Sequence, residues 1–259
     1  MEPEIFINFK HYDNAVGTNS EKLLTDFKSI KKQNGLYYCM AETDLYLQKS
    51  FPGLHIYGQH VDSNGYGAFT GSVSIESLLD LGVKGSLLNH SEKRVDSSII
   101  ESVVKKSKEL GFKIILCVEN LDEAEKYSKL EPAYIAYEPP ELIGGDISVS
   151  TARPEIIGQA AEICKGRTKL LVGAGVKTKE DVDTSMALGA AGVLIASGII
   201  KNAKPINRLV SLMLIDSVDP AVGIVKLKYT YPVLRSYLLL IAFPFSCIVM
   251  LVILYLYSV

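Results

Sequence analysis

The sequence predicts an α/β protein: a closed barrel of eight parallel strands with helices between them, followed by a hydrophobic C-terminal helix. First, short apolar runs alternate with amphipathic stretches at a regular spacing through most of the chain, which is typical of strands joined by crossover helices. Second, strands joined in this way pair in parallel and are buried on both faces. Third, eight such units before residue 215 favour a (β/α)8 barrel over an open doubly wound sheet.

The strands and helices are assigned in order along the chain. The predicted strands span Ile5–Phe9, Leu36–Met40, His55–Gln59, Gly85–Asn89, Lys113–Val118, Tyr134–Tyr137, Leu170–Val172 and Gly192–Ala196. The predicted helices span Ser20–Lys32, Thr43–Lys49, Ile75–Leu81, Ser97–Leu110, Asp122–Lys129, Pro154–Lys165, Lys179–Leu188 and Pro205–Leu214. Two helix starts carry a capping signal: Ser20 precedes a Lys-Leu-Leu run, and Thr178 is followed by acidic residues in the first turn.

The C-terminal segment differs in composition from the rest. No side chain from 236 to 259 is charged, and about 20 apolar residues suffice for a helix to cross a bilayer. Basic residues precede the segment and none follows it, which would keep the preceding domain cytoplasmic; they are Lys226, Lys228 and Arg235. We therefore predict a barrel at 1–215, a linker at 216–235 and a candidate transmembrane helix at 236–259. A buried helix and an artefact of the reading frame are the alternatives.

Composition limits the classes of partner. The net charge of -2, without a basic run that contains aromatic residues, argues against a nucleic-acid partner. The cysteines are far apart and lack CxxC spacing, which indicates buried reduced thiols and no metal site; they are Cys39, Cys117, Cys164 and Cys247. No signal peptide is recognised at the N-terminus. We expect a cytoplasmic protein, with membrane attachment through residues 236–259 as a further hypothesis.

Glu138 is the first candidate catalytic residue. It follows an apolar run and precedes two prolines, which stiffen the chain, and Gly144 and Gly145 come a few residues later. A carboxylate on a rigid backbone segment next to a mobile loop is suited to act as a general base beneath a lid. The alternative is a solvated glutamate on a surface loop.

Other unusual residues also cluster at the predicted strand ends, where barrel enzymes carry their chemistry. Asn8 and Lys10 end the first strand, and Asn89-His90-Ser91-Glu92 ends the fourth. The turns Gly173-Ala174-Gly175 and Ala196-Ser197-Gly198 end the seventh and eighth strands, and their backbone amides suit a phosphate group. Each signal has a simpler interpretation, since a lone histidine is more often packed in a core and a lone lysine is more often on the surface.

Taken together, these motifs closely resemble the triosephosphate isomerase family in its short archaeal form, which has the TIM-barrel fold. The resemblance covers about residues 4–214 and rests first on Asn8-Phe9-Lys10, Asn89-His90-Ser91-Glu92 and Tyr137-Glu138-Pro139-Pro140. Further matching stretches are Gly58-Gln59-His60-Val61-Asp62, Gly67-Ala68-Phe69-Thr70-Gly71, Cys117-Val118-Glu119-Asn120 and 192–198.

The resemblance implies interconversion of dihydroxyacetone phosphate and glyceraldehyde 3-phosphate through an enediolate, without a cofactor or a metal. It implies Glu138 as the base, His90 as a neutral electrophile, Lys10 and Asn8 as substrate ligands, and Glu92 as the partner of Lys10. The implied substrate-binding residues are Asn8, Phe9, Lys10, Ile143, Gly144, Gly175, Ala196 and Ser197. Residues 139–150 would form the lid.

The resemblance also implies a homo-oligomer, a tetramer among the short archaeal members. The expected interface residues are Tyr46, Tyr57, Tyr66 and Phe69, together with the third loop. We expect His60 to be a structural partner of that loop.

One departure from the family pattern leaves alternatives open. The lid stretch contains Asp146, and an acidic side chain pointing at a phosphate is unfavourable, so we expect it to point outward or to cap the next helix. One alternative is another phosphate-binding barrel, such as an enzyme of tryptophan or thiamine biosynthesis. The other is a membrane-tethered barrel that binds a phosphate ligand or a partner without catalysis.

Overall fold

Eight parallel strands form the barrel in the computed structural model, which describes residues 2–139, 153–213, 224–226 and 239–241. The chain divides into two units, Met1–Leu212 and Met213–Val259, and the barrel belongs to the first. Its strands are β1 (Glu4–Asn8), β2 (Leu36–Cys39), β3 (Ile56–Tyr57), β4 (Gly85–Leu88), β5 (Lys113–Val118), β6 (Tyr134–Tyr137), β7 (Lys169–Val172) and β8 (Gly192–Ile195). The predicted (β/α)8 fold is therefore confirmed.

The barrel is closed between β3 and β4. The sheet order is β3-β2-β1-β8-β7-β6-β5-β4, and a parallel bridge between Gly58 and Ser86 joins its two ends. The Gly58 N–H donates to the Gly85 carbonyl at 2.9 Å, and the Leu87 N–H donates back to the Gly58 carbonyl at 3.0 Å. Residue 85 must be glycine here, because a Cβ would lie 2.1 Å from the Tyr57 ring.

Buried side chains from all eight strands fill one core cluster. The cluster contains Phe6, Cys39, Tyr57, Leu87, Ile115, Cys117, Tyr134, Ala136, Leu171 and Leu194. Tyr57 is 3% exposed and packs edge-on against Phe6, so its predicted place in an oligomer interface is wrong for this residue. Successive residues of a strand point to opposite sides, and in this register residue 57 points to the core. The other three aromatic residues of that prediction are exposed.

The helices surround the barrel close to their predicted positions. They are α1 (Thr18–Lys28), α2 (Ile75–Asp80), α3 (Ser97–Leu110), α4 (Leu121–Ser128), α5 (Pro154–Cys164), α6 (Lys179–Ala187), α7 (Ser197–Ile200) and α8 (Pro205–Leu212). The segment Glu42–Lys49 is a 3-10 helix. The predicted cap at Ser20 is wrong, because α1 already begins at Thr18 after Gly17, and the Ser20 hydroxyl donates to the Gly17 carbonyl. The predicted cap at Thr178 is confirmed by a complete capping box.

Three of the four cysteines lie within the described residues. Cys39, Cys117 and Cys164 are buried and unpaired, as predicted, and Cys247 lies outside the described residues.

Beyond Met213, the second unit is described only at two short strands. These are β9 (Ile224–Lys226) and β10 (Leu239–Ile241), which pair antiparallel. Apart from β10, the predicted helix at 236–259 lies outside the described residues. Among the helices that the structure does describe, none has the length and apolar character needed to span a bilayer. The predicted linker and tail boundaries stay predictions.

Candidate active site

The candidate residues meet in one pocket at the carboxyl ends of the strands. Its lining includes Asn8, Lys10, His90, Glu138, Gly175, Ala196 and Ser197. Glu92 lies in an adjoining pocket that Lys10 and His90 also line. Phe9 does not line the pocket, because its ring is buried and packs edge-on against Phe27 and Tyr38. Ile143, Gly144 and Asp146 lie outside the described residues.

Lys10 is held rigidly at the end of β1. Its φ of 49° is in the left-handed region, which residues with a Cβ rarely adopt. The backbone N–H donates to Asn8 Oδ1 at 3.0 Å, and Gln59 Nε2 donates to the Lys10 carbonyl at 3.2 Å. Lys10 Nζ lies 2.7 Å from Glu92 Oε1, so the implied pairing of these two residues is present. The ammonium is therefore fixed at the mouth of the pocket.

One ring nitrogen of His90 contacts the Glu92 backbone, and the other faces Glu138. Nδ1 accepts a hydrogen bond from the Glu92 backbone N–H at 3.1 Å. A ring nitrogen that accepts from an N–H carries no proton of its own, so this bond assigns the neutral tautomer with its proton on Nε2. Nε2 lies 3.7 Å from Glu138 Oε2. His90 is 6% exposed and lines the pocket, so Nε2 presents an N–H donor there.

Glu138 directly follows β6 and is buried. Its N–H donates to the Val118 carbonyl at 2.8 Å, which continues the pairing of β6 with β5. Burial raises the pKa of its carboxyl group, while His90, the Cys117 thiol and Lys10 act in the opposite direction. Within the described part of the chain, Oε2 has no hydrogen-bond partner. A buried carboxylate oxygen with a raised pKa and no partner is equipped to take a proton from a bound molecule.

Gly173 leaves room for the Glu138 carboxylate. A Cβ at this position would lie 2.4 Å from Glu138 Cγ and 2.8 Å from both Cδ and Oε1. The glutamate therefore lies directly over the backbone of the turn after β7. The sequence predicts only a phosphate-binding turn at Gly173. It does not predict the contact between Gly173 and Glu138, because the two residues follow different strands.

The turns after β7 and β8 contribute small residues to the lining of the same pocket. Gly175 has a φ of 70°, and Ser197 begins the short helix α7. Residue 198 is tightly packed, because a Cβ there would lie 3.0 Å from the Val176 carbonyl. The small residues thus let the two backbones approach each other beside the pocket.

Two further residues support the site through backbone contacts. The Gln59 side chain donates hydrogen bonds to the carbonyls of Lys10 and Cys39. The Asn89 side chain donates to the Cys117 carbonyl at 3.1 Å. Both lie in motifs that carry the family resemblance, which is the signal that could have drawn attention to them. Their partners lie far away along the chain, so the sequence alone does not identify the contacts.

His60 supports the third loop, as predicted. Its Nε2 lies 3.1 Å from Asp62 Oδ1, and Asp62 Oδ2 accepts from the Val73 N–H at 2.8 Å. Burial raises the pKa of Asp62, but the bonds from Val73 and His60 outweigh it, so the net pKa lies below its ordinary value. The ends of the loop are thereby tied together. Across the residues that are described, no group of His, Cys, Asp and Glu is arranged to hold a metal ion.

Comparison with known proteins places these features in one family. The family profile described as triosephosphate isomerase matches residues 3–213. A triosephosphate isomerase of Thermoplasma volcanium is 45% identical over 210 residues, which cover 81% of this chain and 98% of the relative. Those of Saccharolobus solfataricus and Methanosarcina acetivorans are 41% and 36% identical, covering 78% of this chain and 91% and 94% of the relatives.

Proposed function

The chain belongs to the triosephosphate isomerase family and is an isomerase, and on this premise we propose that it interconverts dihydroxyacetone phosphate and D-glyceraldehyde 3-phosphate through an enediolate. The observation that carries the mechanism is that Glu138 Oε2, which has no hydrogen-bond partner among the described residues, lies 3.7 Å from Nε2 of His90 in one pocket. Family membership removes the alternative of a phosphate-binding barrel from tryptophan or thiamine biosynthesis.

Glu138 acts as the base. A C–H bond next to a carbonyl is weakly acidic, so its proton is removed only by a positioned base while the oxygen is stabilised. Glu138 takes the proton from one carbon and returns it to the neighbouring carbon, which converts ketose into aldose. The raised pKa of Glu138 brings its basicity closer to that of the enediolate and makes the transfer in both directions easier.

His90 stabilises the oxygen that becomes negative. Its Nε2–H faces the pocket, and the Glu92 N–H holds Nδ1 in the acceptor state. A neutral donor can give its proton to one oxygen and take one from the other. His90 therefore polarises the carbonyl and moves the hydroxyl proton between the two oxygens.

Lys10 and the two small-residue turns bind the charged end of the substrate. The Lys10 side chain is 13% exposed, and Asn8 lines the same pocket. We place the phosphate on the backbone amides near Gly175, Ala196 and Ser197, which line the same pocket as the Glu138 carboxylate. Residues 139–150, with Ile143 and Gly144, complete the phosphate site as a lid that excludes water.

We also propose a cytoplasmic homo-oligomer. The support is the exposed aromatic pair on the third loop, Tyr66 at 66% and Phe69 at 51% exposure, which is apolar surface suited to contact with a second copy. The barrel at 1–215, the linker at 216–235 and a membrane-attached segment at 236–259 remain part of the same proposal.

A coupled assay on the full-length chain tests the function. Glyceraldehyde 3-phosphate is supplied, and the dihydroxyacetone phosphate formed is measured by NADH oxidation with glycerol-3-phosphate dehydrogenase. We expect Glu138→Gln to lower kcat by about 10³-fold or more, since a general base contributes on this scale. Asp44→Asn is the matched control, because Asp44 is equally buried but accepts from the Gly17 N–H away from the pocket. No turnover by a folded wild-type chain would overturn the proposal and favour the non-catalytic barrel.

A further inference from the structure

Asn89, the residue immediately before His90, has an unusual backbone conformation. Its φ is 62°, in the left-handed region, and the residue is 1% exposed. Glycine adopts this conformation without cost, and among residues with a side chain asparagine tolerates it best. Backbone conformation alone thus restricts this position to a few residue types, but it does not explain why a buried amide side chain is present.

The Asn89 side chain ties the loop after β4 to the neighbouring strand. Its Oδ1 accepts from the Val95 N–H at 3.1 Å, which joins the two ends of the loop. Its Nδ2 donates to the Cys117 carbonyl on β5, also at 3.1 Å. Glycine at this position would keep the backbone conformation and lose both bonds.

The same strand supports both partners of the proposed proton transfer. The loop is fixed to Cys117 through Asn89, and the next residue of β5, Val118, accepts from the Glu138 N–H at 2.8 Å. Within the loop, a turn from His90 to Lys93 is closed by a 2.8 Å bond, and the Glu92 N–H donates to His90 Nδ1. Hydrogen bonds to the end of β5 therefore hold both the loop that carries His90 and the backbone of Glu138.

We propose that Asn89 is a positioning residue for the isomerisation, whose side chain holds the His90 imidazole in its neutral tautomer and at its distance from Glu138. This inference rests on the proposed function for its effect on catalysis. Asn89 itself does not reach the substrate, and it acts by keeping the loop closed so that the Glu92 N–H stays on His90 Nδ1.

The test compares Asn89→Gly with Asn89→Ala in the full-length chain. Glycine removes the two side-chain bonds and keeps the backbone, whereas alanine also adds backbone strain. For Asn89→Gly we expect kcat to fall about 10- to 100-fold, since a displacement of an ångström or less misaligns the reacting groups. KM stays within about twofold, because the side chain does not bind substrate.

A second measurement separates positioning from simple stabilisation. The ¹⁵N chemical shifts of the His90 ring report which nitrogen carries the proton, and with four histidines in the chain the signal is assigned by its loss in His90→Gln. We expect Asn89→Gly to mix the tautomers. The control is Gln48→Ala, which also removes a buried amide that bridges backbone groups but lies away from the pocket. It lowers Tm and leaves both kcat and the His90 signals unchanged.

The outcomes are distinct. If Asn89→Gly lowers only Tm, as Gln48→Ala does, the positioning role is overturned. If the wild-type chain does not isomerise triose phosphates, the proposed function fails, while the ring shifts still decide whether Asn89 controls the His90 tautomer. If Asn89→Gly does not fold, Asn89→Asp keeps the acceptor for the Val95 N–H and loses the donor to Cys117. Wild-type kcat and ring shifts in that variant overturn the proposal.

Discussion

Replacing Gly173 with alanine tests whether the turn after β7 controls the position of the proposed base. A Cβ at residue 173 would lie 2.4 Å from Glu138 Cγ, and ordinary contact begins at 3.4 Å. The difference, 3.4 - 2.4 = 1.0 Å, is the distance by which the glutamate side chain or the turn must retreat. A misplacement of this size costs about 100-fold in rate, or about 2.7 kcal/mol in the activation free energy.

The assay is steady-state isomerisation with Gly158→Ala as the matched control. Gly158 lies in α5, where a Cβ would meet no atom of the described residues within 4 Å. We expect Gly173→Ala to lose about 100-fold in kcat, and Gly158→Ala to keep its activity and gain up to about 1 kcal/mol in stability from the better helix former.

A double variant shows whether the loss acts through Glu138. In the Glu138→Gln background the base is already absent, so adding Gly173→Ala should cost little further activity. The reasoning would be refuted if Gly173→Ala alone kept kcat within about threefold of the wild type. It would equally be refuted if the two substitutions lowered kcat independently, because their effects would then not meet at one carboxylate.

Two further changes test stability. Glu138→Gln should raise the free energy of unfolding at pH 7 by about 1–3 kcal/mol, because it removes a buried carboxylate whose Oε2 has no hydrogen-bond partner among the described residues. Burial raises the pKa of Glu138, so the wild type loses stability as pH rises through that pKa. The stability advantage of Glu138→Gln should therefore vanish below about pH 4. Urea unfolding that gave the same difference in stability at pH 7 as below about pH 4 would contradict this. Gly192→Ala should destabilise the barrel by about 3 kcal/mol or more, since a Cβ would lie 1.9 Å from the Glu4 carbonyl oxygen on β1. If Gly192→Ala unfolded at the same urea concentration as Gly158→Ala, β8 would be able to move away from β1 without that cost.

The sequence was sufficient for the strands because their signal is local. In residues 114–118 and in Tyr134–Tyr137 every side chain is apolar, as expected for strands buried on both faces, and the structure reproduces the predicted strand bounds Lys113–Val118 and Tyr134–Tyr137. The helix Ser97–Leu110 is likewise reproduced. Ser20 misled the prediction because a serine near a helix start resembles a cap, whereas Gly17 provides the non-helical backbone that precedes α1.

The sequence also located the candidate site, but through topology and resemblance. In a parallel barrel every strand ends on the same side, so Lys10, His90 and Glu138 could be expected to meet although they are far apart in the chain. Phe9 shows the limit of this inference. It lies between two pocket residues, yet its side chain points the other way and packs outside the site.

What the sequence by itself determined is therefore the set of strands, their parallel order and the chemical groups at their ends, because these depend on local apolar patterns and on the direction of the chain. Only the tertiary structure decided the orientation of Tyr57, the tautomer of His90 and the closeness of Gly173 to Glu138. Each of these depends on barrel closure, register or a hydrogen bond between separate segments. Such contacts are set by three-dimensional packing, which no local pattern encodes.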